Sequence, residues 1–445
     1  MVGQRRLPVG DLTKPGRRGR SDGLSARILS GMTTETADPH APGRELRPET
    51  KAVHPVVPPL AGGRPLSPPI YQTSGFAFES AEEIAGAMAG PEGAFVYTRR
   101  GNPTTRALET ALAELEGGAA AIATASGMGA ISAALLALLR PGDHVVAQRC
   151  LYGGTFAVLG DLAARYGIEV TSIAGESPAE VAEVVRPTSR LLYLETIANP
   201  MTQVSDLPAM LAAGRAAGLL GVVDNSLASP LLCRPIEQGA DLVVHSTTKY
   251  LAGHSDVIGG ALVFADAALH REVWGRAVEL GATADPFAAW LTLRGMQTLP
   301  LRMRQHCAGA ALLAERLAAH PAVSAVHWPG LPTHPSHAVA SRVLDGYGGV
   351  LAFDLAGGRA AGRRFVEGVR LASLALSLGG VETLVTHPAS TSHRELGEAE
   401  LAAAGIGAGT VRVAVGIEHP EDLWADFAGA LAGVDVPSVP RATRP

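Results

Sequence analysis

From about Thr105 onward, short apolar runs alternate with stretches in which apolar residues recur at three- and four-residue spacing. Residues 107–115 have the helical period. Residues 120–123 read as a strand, and 130–139 as a helix stopped by Pro141-Gly142. Residues 144–147, 169–173, 191–194, 219–223 and 242–244 read as further strands, with a helix over 156–166, and 260–264 closes the series. This alternation predicts an α/β fold with a mostly parallel central sheet. Beyond Leu299, long Ala/Leu/Arg helices take over. Residues 348–355 and 411–415 then read as strands and 420–431 as a helix, which makes a smaller C-terminal α/β domain. The expected division is a basic, disordered extension over 1–45, an arm over 46–104, a main domain over 105–298, a small domain over 299–434 and a tail over 435–445. No tandem repeat is present.

The polar residues gather where the apolar runs stop. Ser126, Tyr152, Glu195, Asp224 and Ser246 all follow predicted strands. Ligands of open α/β sheets bind at the carboxyl ends of strands, so one pocket is expected there. The run at 242–244 ends in Ser246, Thr247 and Thr248 and then Lys249, one of three lysines in the chain beside Lys14 and Lys51. Hydroxyls and backbone amides next to an amine suit a phosphate-bearing aldehyde: the former hold phosphate, and the amine forms a Schiff base. That is the pattern of a pyridoxal 5'-phosphate (PLP) site, although Ser/Thr clusters before a surface lysine also form ordinary turns. Asp224 alters the balance. A carboxylate at a strand end keeps a pyridine nitrogen protonated, so that the ring can accept electrons.

Composition narrows the partners. The 445 residues carry a net charge of −5, which gives no reason to expect nucleic acid or a membrane surface. Three widely spaced cysteines, Cys150, Cys233 and Cys307, have no metal spacing, so no metal site and a reducing, cytoplasmic setting are expected. The Arg-rich start lacks the apolar core of a secretion signal, and it reads as a disordered extension or an over-long gene start. The stretch 118–139 is long enough to span a bilayer, but it breaks into strand, loop and helix around Ser126 and Gly127.

Further motifs carry weaker signals. Ser126-Gly127-Met128-Gly129 offers backbone amides and a helix start to an anion, or simply a tight turn. Tyr97 and Arg99 could both reach a phosphate, or lie on an exposed loop. Glu195 and Asn199 are polar groups after a buried strand. Arg412, among valines, requires a partner such as a substrate carboxylate, or belongs to an edge strand.

Taken together, the motifs YTRRGNPT, ASGMGAI, YGGTF, ETIANP, VVDNS, HSTTKYLAGHSD, LRGMQTLPLRM, SLGGVETL, HPAST and VRVAVGIE resemble those of the Cys/Met-metabolism family of PLP enzymes. That family includes cystathionine γ-synthase, cystathionine γ-lyase, methionine γ-lyase and the O-acylhomoserine sulfhydrylases. The resemblance implies a PLP-dependent fold type I, aspartate-aminotransferase-like subunit in a homotetramer of two tight dimers. It further implies that Lys249 carries PLP, that Asp224 pairs with the pyridine nitrogen and that Tyr152 stacks on the ring. Gly127, Met128, Ser246 and Thr248 would bind phosphate, joined by Tyr97 and Arg99 across the dimer interface. Arg412 would clamp the carboxylate of a small amino-acid substrate with Asn199 and the backbone near Ser377. Lys249 would move the Cα and Cβ protons, with Tyr152 or Tyr97 protonating the leaving group.

Two departures bear on the reaction. Cystathionine-handling members generally carry Glu immediately before the SLGG serine, where this chain has Leu376; methionine γ-lyases typically carry Cys where it has Gly154. The expectation is a C–S lyase eliminating the γ-substituent of L-methionine or a related amino acid. The alternatives are γ-replacement on an O-acylated or O-phosphorylated homoserine, an aminotransferase of the same fold, and a catalytically silent PLP-binding scaffold.

Overall fold

The computed structural model describes residues 46–55, 65–88, 90, 93–391, 394, 397, 399, 401 and 405–434. The chain divides into two units, 1–46 and 47–445, and the description concerns the second. The expected basic extension and the tail after residue 434 lie outside the described residues.

The main sheet has seven strands in the order β1-β7-β6-β5-β4-β2-β3. They are β1 (Ala120–Thr124), β2 (His144–Gln148), β3 (Glu169–Ile173), β4 (Ser189–Glu195), β5 (Leu220–Asp224), β6 (Leu242–His245) and β7 (Gly260–Phe264). Strands β3, β2, β4, β5 and β6 run parallel in consecutive pairs, whereas β7 is antiparallel to both neighbours, β6 and β1. Strand β7 closes the series along the chain as expected, and in space it lies inside the sheet between β1 and β6. Its five residues are all buried, so it reads as one more apolar run, and direction leaves no mark in such a run.

Helices cover both faces. On one side Leu108, Leu112 and Met210 pack with Val223 and Val243; on the other Ile131, Leu135 and Leu159 pack with Val222 and Val244. Strand side chains alternate between faces, so the apolar strands supply both layers at once. The predicted helix after β1 starts earlier than its periodicity indicates, at Gly127, and runs Gly127–Leu138. Ser126 caps it by accepting from Gly129 N–H at 3.0 Å, which draws the Gly-Met-Gly segment into the first turn.

A long helix, Leu299–Ala318, leads to a second sheet of five strands in the order β10-β11-β12-β9-β8. Strand β9 (Val350–Leu355) and β12 (Thr410–Ala414) match the two predicted runs to within two residues. Strands β8 (Val323–His327), β10 (Ser373–Leu374) and β11 (Leu384–Thr386) have no clear apolar run and were not legible. The closing helix Pro420–Ala432 buries Leu423 and Phe427 against this sheet. Among the described residues no helix is long and apolar enough to cross a membrane.

Candidate active site

The carboxyl ends of β1, β2, β4, β5 and β6 all face one edge of the main sheet, since these strands share a direction. Each expected polar residue lies at or just beyond one of them. Asp224 ends β5 directly beside Glu195, which ends β4. Glu195 is buried and Asp224 half-buried, and desolvation pushes both upward. Glu195 is raised well above the ordinary carboxylate range, first by burial and then by Asp224; Asp224 is held back by hydrogen bonds from Ser226 and by the nearby His245.

The helix Gly127–Leu138 points its N-terminus at the loop after β6. A Cβ on Gly127 would stand 2.8 Å from the Cβ of Ser246, so only glycine allows this approach. The first-turn N–H groups there form an anion site. Met128 is half-buried, and its sulfur lies beside Gly154 together with the Tyr152 ring. The ring itself is about half exposed, and its backbone N–H donates to Glu195 Oε1 at 2.5 Å. Ser246 donates its N–H to Ser226 Oγ at 2.7 Å. The Thr248 hydroxyl is occupied by Gly259, donating to its carbonyl at 3.1 Å and accepting from its N–H at 2.9 Å. Of the two hydroxyls expected at the phosphate, Ser246 is thus the freer donor.

Lys249 is half-buried, and its Nζ donates to Ser377 Oγ at 2.7 Å. Burial, and then the Arg412 charge, hold the amine below the ordinary lysine range. Arg412 lies in mid-sheet on β12, between Thr386 of β11 and Ala352 of β9, so it is not on an edge strand. It is 9 % exposed. Its guanidinium donates to Ser377 O at 2.6 Å and to Asn199 Oδ1 at 3.4 Å, and its Nε is buried without a partner. Among the described residues no carboxylate pairs with it, and burial lowers its pKa. Ser377 bridges the two cations and has φ +108°, a strained conformation for a non-glycine residue. Gly379, two residues on, lies so close that a Cβ there would stand 2.6 Å from Tyr250 N. The second sheet therefore delivers Arg412 and Ser377 onto the segment that carries Lys249. Leu376, immediately before Ser377 in the chain, is 66 % exposed.

Among the described residues, no hydrogen bond or ion pair joins Tyr97 or Arg99 to this cluster. Arg99 donates to Val278 O at 2.9 Å, with its guanidinium 5.8 Å from the centre of the Tyr97 ring, and Tyr97 pairs with Gly75.

Sequence reasoning left three residues without roles. Ser226 steadies both Asp224 and Ser246. Glu195 was marked as polar but given no role, although it joins β4 to the Tyr152 segment. Arg302 is buried and donates at 2.7 Å to the carbonyls of Tyr250 and Gly295, which anchors the turn after Lys249. Its signal was a cation at helical spacing with Leu299, Met303 and His306.

The family model described as Cys/Met metabolism PLP-dependent enzyme matches residues 49–432. The chain belongs to that family. The L-methionine gamma-lyase of Porphyromonas gingivalis is 45 % identical over 374 residues, covering 82 % of this chain and 92 % of the relative. The Cystathionine gamma-synthase of Mycobacterium bovis is 42 % identical, covering 86 % and 96 %. Among solved structures, the cystathionine gamma synthase of Xanthomonas oryzae pv. oryzae in complex with aminoacrylate and cysteine superposes with a TM-score of 0.81 at 42 % identity, covering 87 % of this chain and 98 % of that one. The cystathionine gamma-lyase of Lactobacillus plantarum complexed with L-serine gives 0.82 at 34 % identity, covering 87 % and 99 %.

This chain is accordingly a PLP-dependent enzyme of trans-sulfuration and Met/Cys metabolism, with the fold-type-I α/β architecture. Its residues suit that cofactor. A helix N-terminus opens beside Ser246, a half-buried carboxyl ends β5, and a desolvated amine lies close to an uncompensated guanidinium. No group of three or more His, Cys, Asp or Glu among the described residues could hold a metal ion.

Proposed function

We propose that this chain is a PLP-dependent C–S lyase that eliminates the γ-substituent of L-methionine or a closely related amino acid. The observation that carries the reading is the Lys249–Ser377–Arg412 cluster, a poised amine beside a buried cation that lacks a carboxylate. Relatives named L-methionine gamma-lyase, at 45 % identity and with 92 % of the relative covered, support the choice of reaction.

Bound PLP supplies an aldehyde that takes up an amine and a ring that accepts electrons. The chain does the rest. Arg412, with Asn199, receives the substrate carboxylate and fixes the Cα–H bond relative to Lys249. The Lys249 amine, its proton affinity lowered by burial, would take the Cα proton, hand it back to the bound molecule and, neutral again, take a Cβ proton. Asp224 holds the positive charge of the ring nitrogen. Gly127, Met128 and Ser246 would hold the phosphate, with the helix N–H groups as donors, and Thr248 would join them once its hydroxyl left Gly259. Tyr152 covers the ring face and, with Tyr97, is a candidate to protonate the departing thiolate. The division of labour follows the two sheets: 105–298 binds the cofactor, and 299–434 brings the carboxylate clamp.

The test is an end-product assay on L-methionine, L-cystathionine and O-acetyl-, O-succinyl- and O-phosphohomoserine, each with and without a thiol. Oxo acid, ammonia and thiol from methionine alone are expected. Product formation only when a thiol is added to an activated homoserine would replace this reading with γ-replacement, which the 42 % identity to a Cystathionine gamma-synthase favours. A pyridoxamine form without ammonia would indicate an aminotransferase, and no turnover at all a silent scaffold.

Leu376 is read as the selectivity residue. A carboxylate there could hold the distal ammonium of cystathionine, and leucine cannot. Leu376→Glu should raise the ratio of kcat/KM for cystathionine to that for methionine by roughly twofold to fivefold, the worth of an ion pair at an exposed position. An unchanged ratio with full PLP occupancy would place the distal pocket elsewhere.

The assembly is read as a cytoplasmic homotetramer in which Tyr97 and Arg99 complete the partner subunit's phosphate site. The support is that Arg99 has no bond to the Lys249 cluster of its own chain, while the free Cys150, Cys233 and Cys307 suit a reducing compartment. Arg99→Ala and Lys249→Ala subunits, each inactive alone, should recover roughly a quarter of wild-type activity after exchange, since half of the dimers are hybrids with one intact site. No recovery after verified exchange would mean that each site is built from one chain.

A further inference from the structure

Two carboxyls, the buried Glu195 and the half-buried Asp224, lie at neighbouring strand ends, yet only one is needed for a ring nitrogen. Glu195 and Asp224 are register partners on adjacent parallel strands, and Glu195 is 3 % exposed. The backbone of Glu195 is locked: its N–H donates to Gln148 Oε1 at 3.0 Å, and its carbonyl accepts from Ser205 Oγ at 2.9 Å. Ser205 donates also to Gln148 Oε1, at 3.1 Å, which closes the network. The side chain then reaches across to the next strand exit, where Oε1 accepts the Tyr152 N–H at 2.5 Å and Oε2 is left buried without a partner. Tyr152 opens the helix Gly153–Tyr166 and has no side-chain cap of its own. The Glu195 carboxyl is thus the polar group that ties the ring-bearing residue to the sheet.

We propose that Glu195 is a positioning residue for the cofactor ring: its carboxyl oxygen accepts the Tyr152 N–H and so pins the Tyr152 backbone to the end of β4, a task that needs an acceptor and no charge. Glu195 and Asp224 end adjacent strands, and burial followed by the neighbouring Asp224 raises Glu195 well above the ordinary carboxylate range. Asp224 has the better claim to the charge, since it accepts from Ser226 N–H at 3.0 Å and feels His245 on β6, whereas burial and Asp224 both press Glu195 toward the acid form. Tyr193 on the same strand and Cys150 near Tyr152 also face Glu195, and neither contributes a positive charge.

The inference rests on reading Lys249 and Asp224 as the PLP site, and borohydride labelling of Lys249 in the unaltered protein tests that reading separately. The experiment titrates PLP into the apo forms of wild type, Glu195→Gln, Glu195→Ala and Glu195→Asp, following the visible absorbance band. Thermal midpoints of the apo-proteins report on folding. Glutamine keeps the acceptor at Tyr152 and has no charge, so its PLP dissociation constant should stay within about threefold of wild type, while alanine and the shorter aspartate weaken it about tenfold or more, the worth of one buried hydrogen bond. Glutamine binding as weakly as alanine would show that the charged form is required, and alanine binding like wild type would remove the positioning role; either result overturns the proposal. Should the alanine protein fail to fold, the comparison of glutamine with aspartate decides by the same criterion.

Discussion

Lys249→Ala should reduce turnover by about a thousandfold or more, since a positioned proton-transfer group alone contributes 10²–10⁴-fold and the covalent hold on the cofactor is lost as well. The residue lies on a loop between β6 and β7, and its side chain makes one polar contact, to Ser377 Oγ at 2.7 Å. Removing it leaves no buried charge behind, so the fold should persist and PLP should still bind through the phosphate groups. Borohydride reduction of the wild-type protein should leave a pyridoxyl adduct on Lys249 and abolish the visible band. The alanine protein should form no such adduct. An adduct mapped to Lys51, or an alanine variant retaining a tenth of wild-type turnover, would refute the assignment.

Arg412→Leu should separate function from stability. Among the described residues the guanidinium is buried without a carboxylate, one of its nitrogens has no partner, and burial lowers its pKa. A buried, uncompensated cation costs folding free energy unless a ligand completes it. Leucine is a shape the surrounding sheet can accept, so the apo-protein should melt at the same temperature as wild type or higher. Substrate recognition should suffer in the opposite sense. Losing one partner of a buried charge pair costs about 2–5 kcal/mol, which is a fall in kcat/KM of roughly thirtyfold to several thousandfold. Most of it should appear in KM, since the carboxylate is bound before and during the reaction alike. Arg412→Lys should recover little, because an ammonium lacks the planar fork that meets both carboxylate oxygens. An intact KM for methionine in the leucine variant would remove Arg412 from substrate binding; a large fall in melting temperature would show that the residue is structural.

The two variants probe the two halves of the site, and those halves were unequally legible. The Lys249 half is local. A strand, its exit loop and a helix start each leave a mark in sequence, because apolar runs must end where the chain turns and polar groups collect at those ends. Lys249, Asp224, Ser246 and Gly127 were accordingly named from their neighbours along the chain, and each lies at the edge expected. The helix beginning at Gly127 differed by three residues from its periodicity, because a capping serine and small residues carry no apolar signal.

The Arg412 half is not local. An arginine between valines reads equally as an edge-strand residue and as a carboxylate clamp. What decides against the edge is the pairing of β12 with both β9 and β11, a contact between segments about 25 to 60 residues apart in the chain. The same holds for Glu195, whose partners Tyr152, Gln148 and Asp224 are brought together by strand order alone. The fold class, the cofactor chemistry and the family were determined by the sequence itself, because periodicity and clustered motifs are properties of neighbouring residues. The direction of β7, the mid-sheet setting of Arg412, the occupied hydroxyl of Thr248 and the Glu195–Tyr152 tie were decided only by tertiary structure. Each depends on which distant strand lies alongside, and burial, charge and hydrogen-bond partners do not exist until the strands have paired.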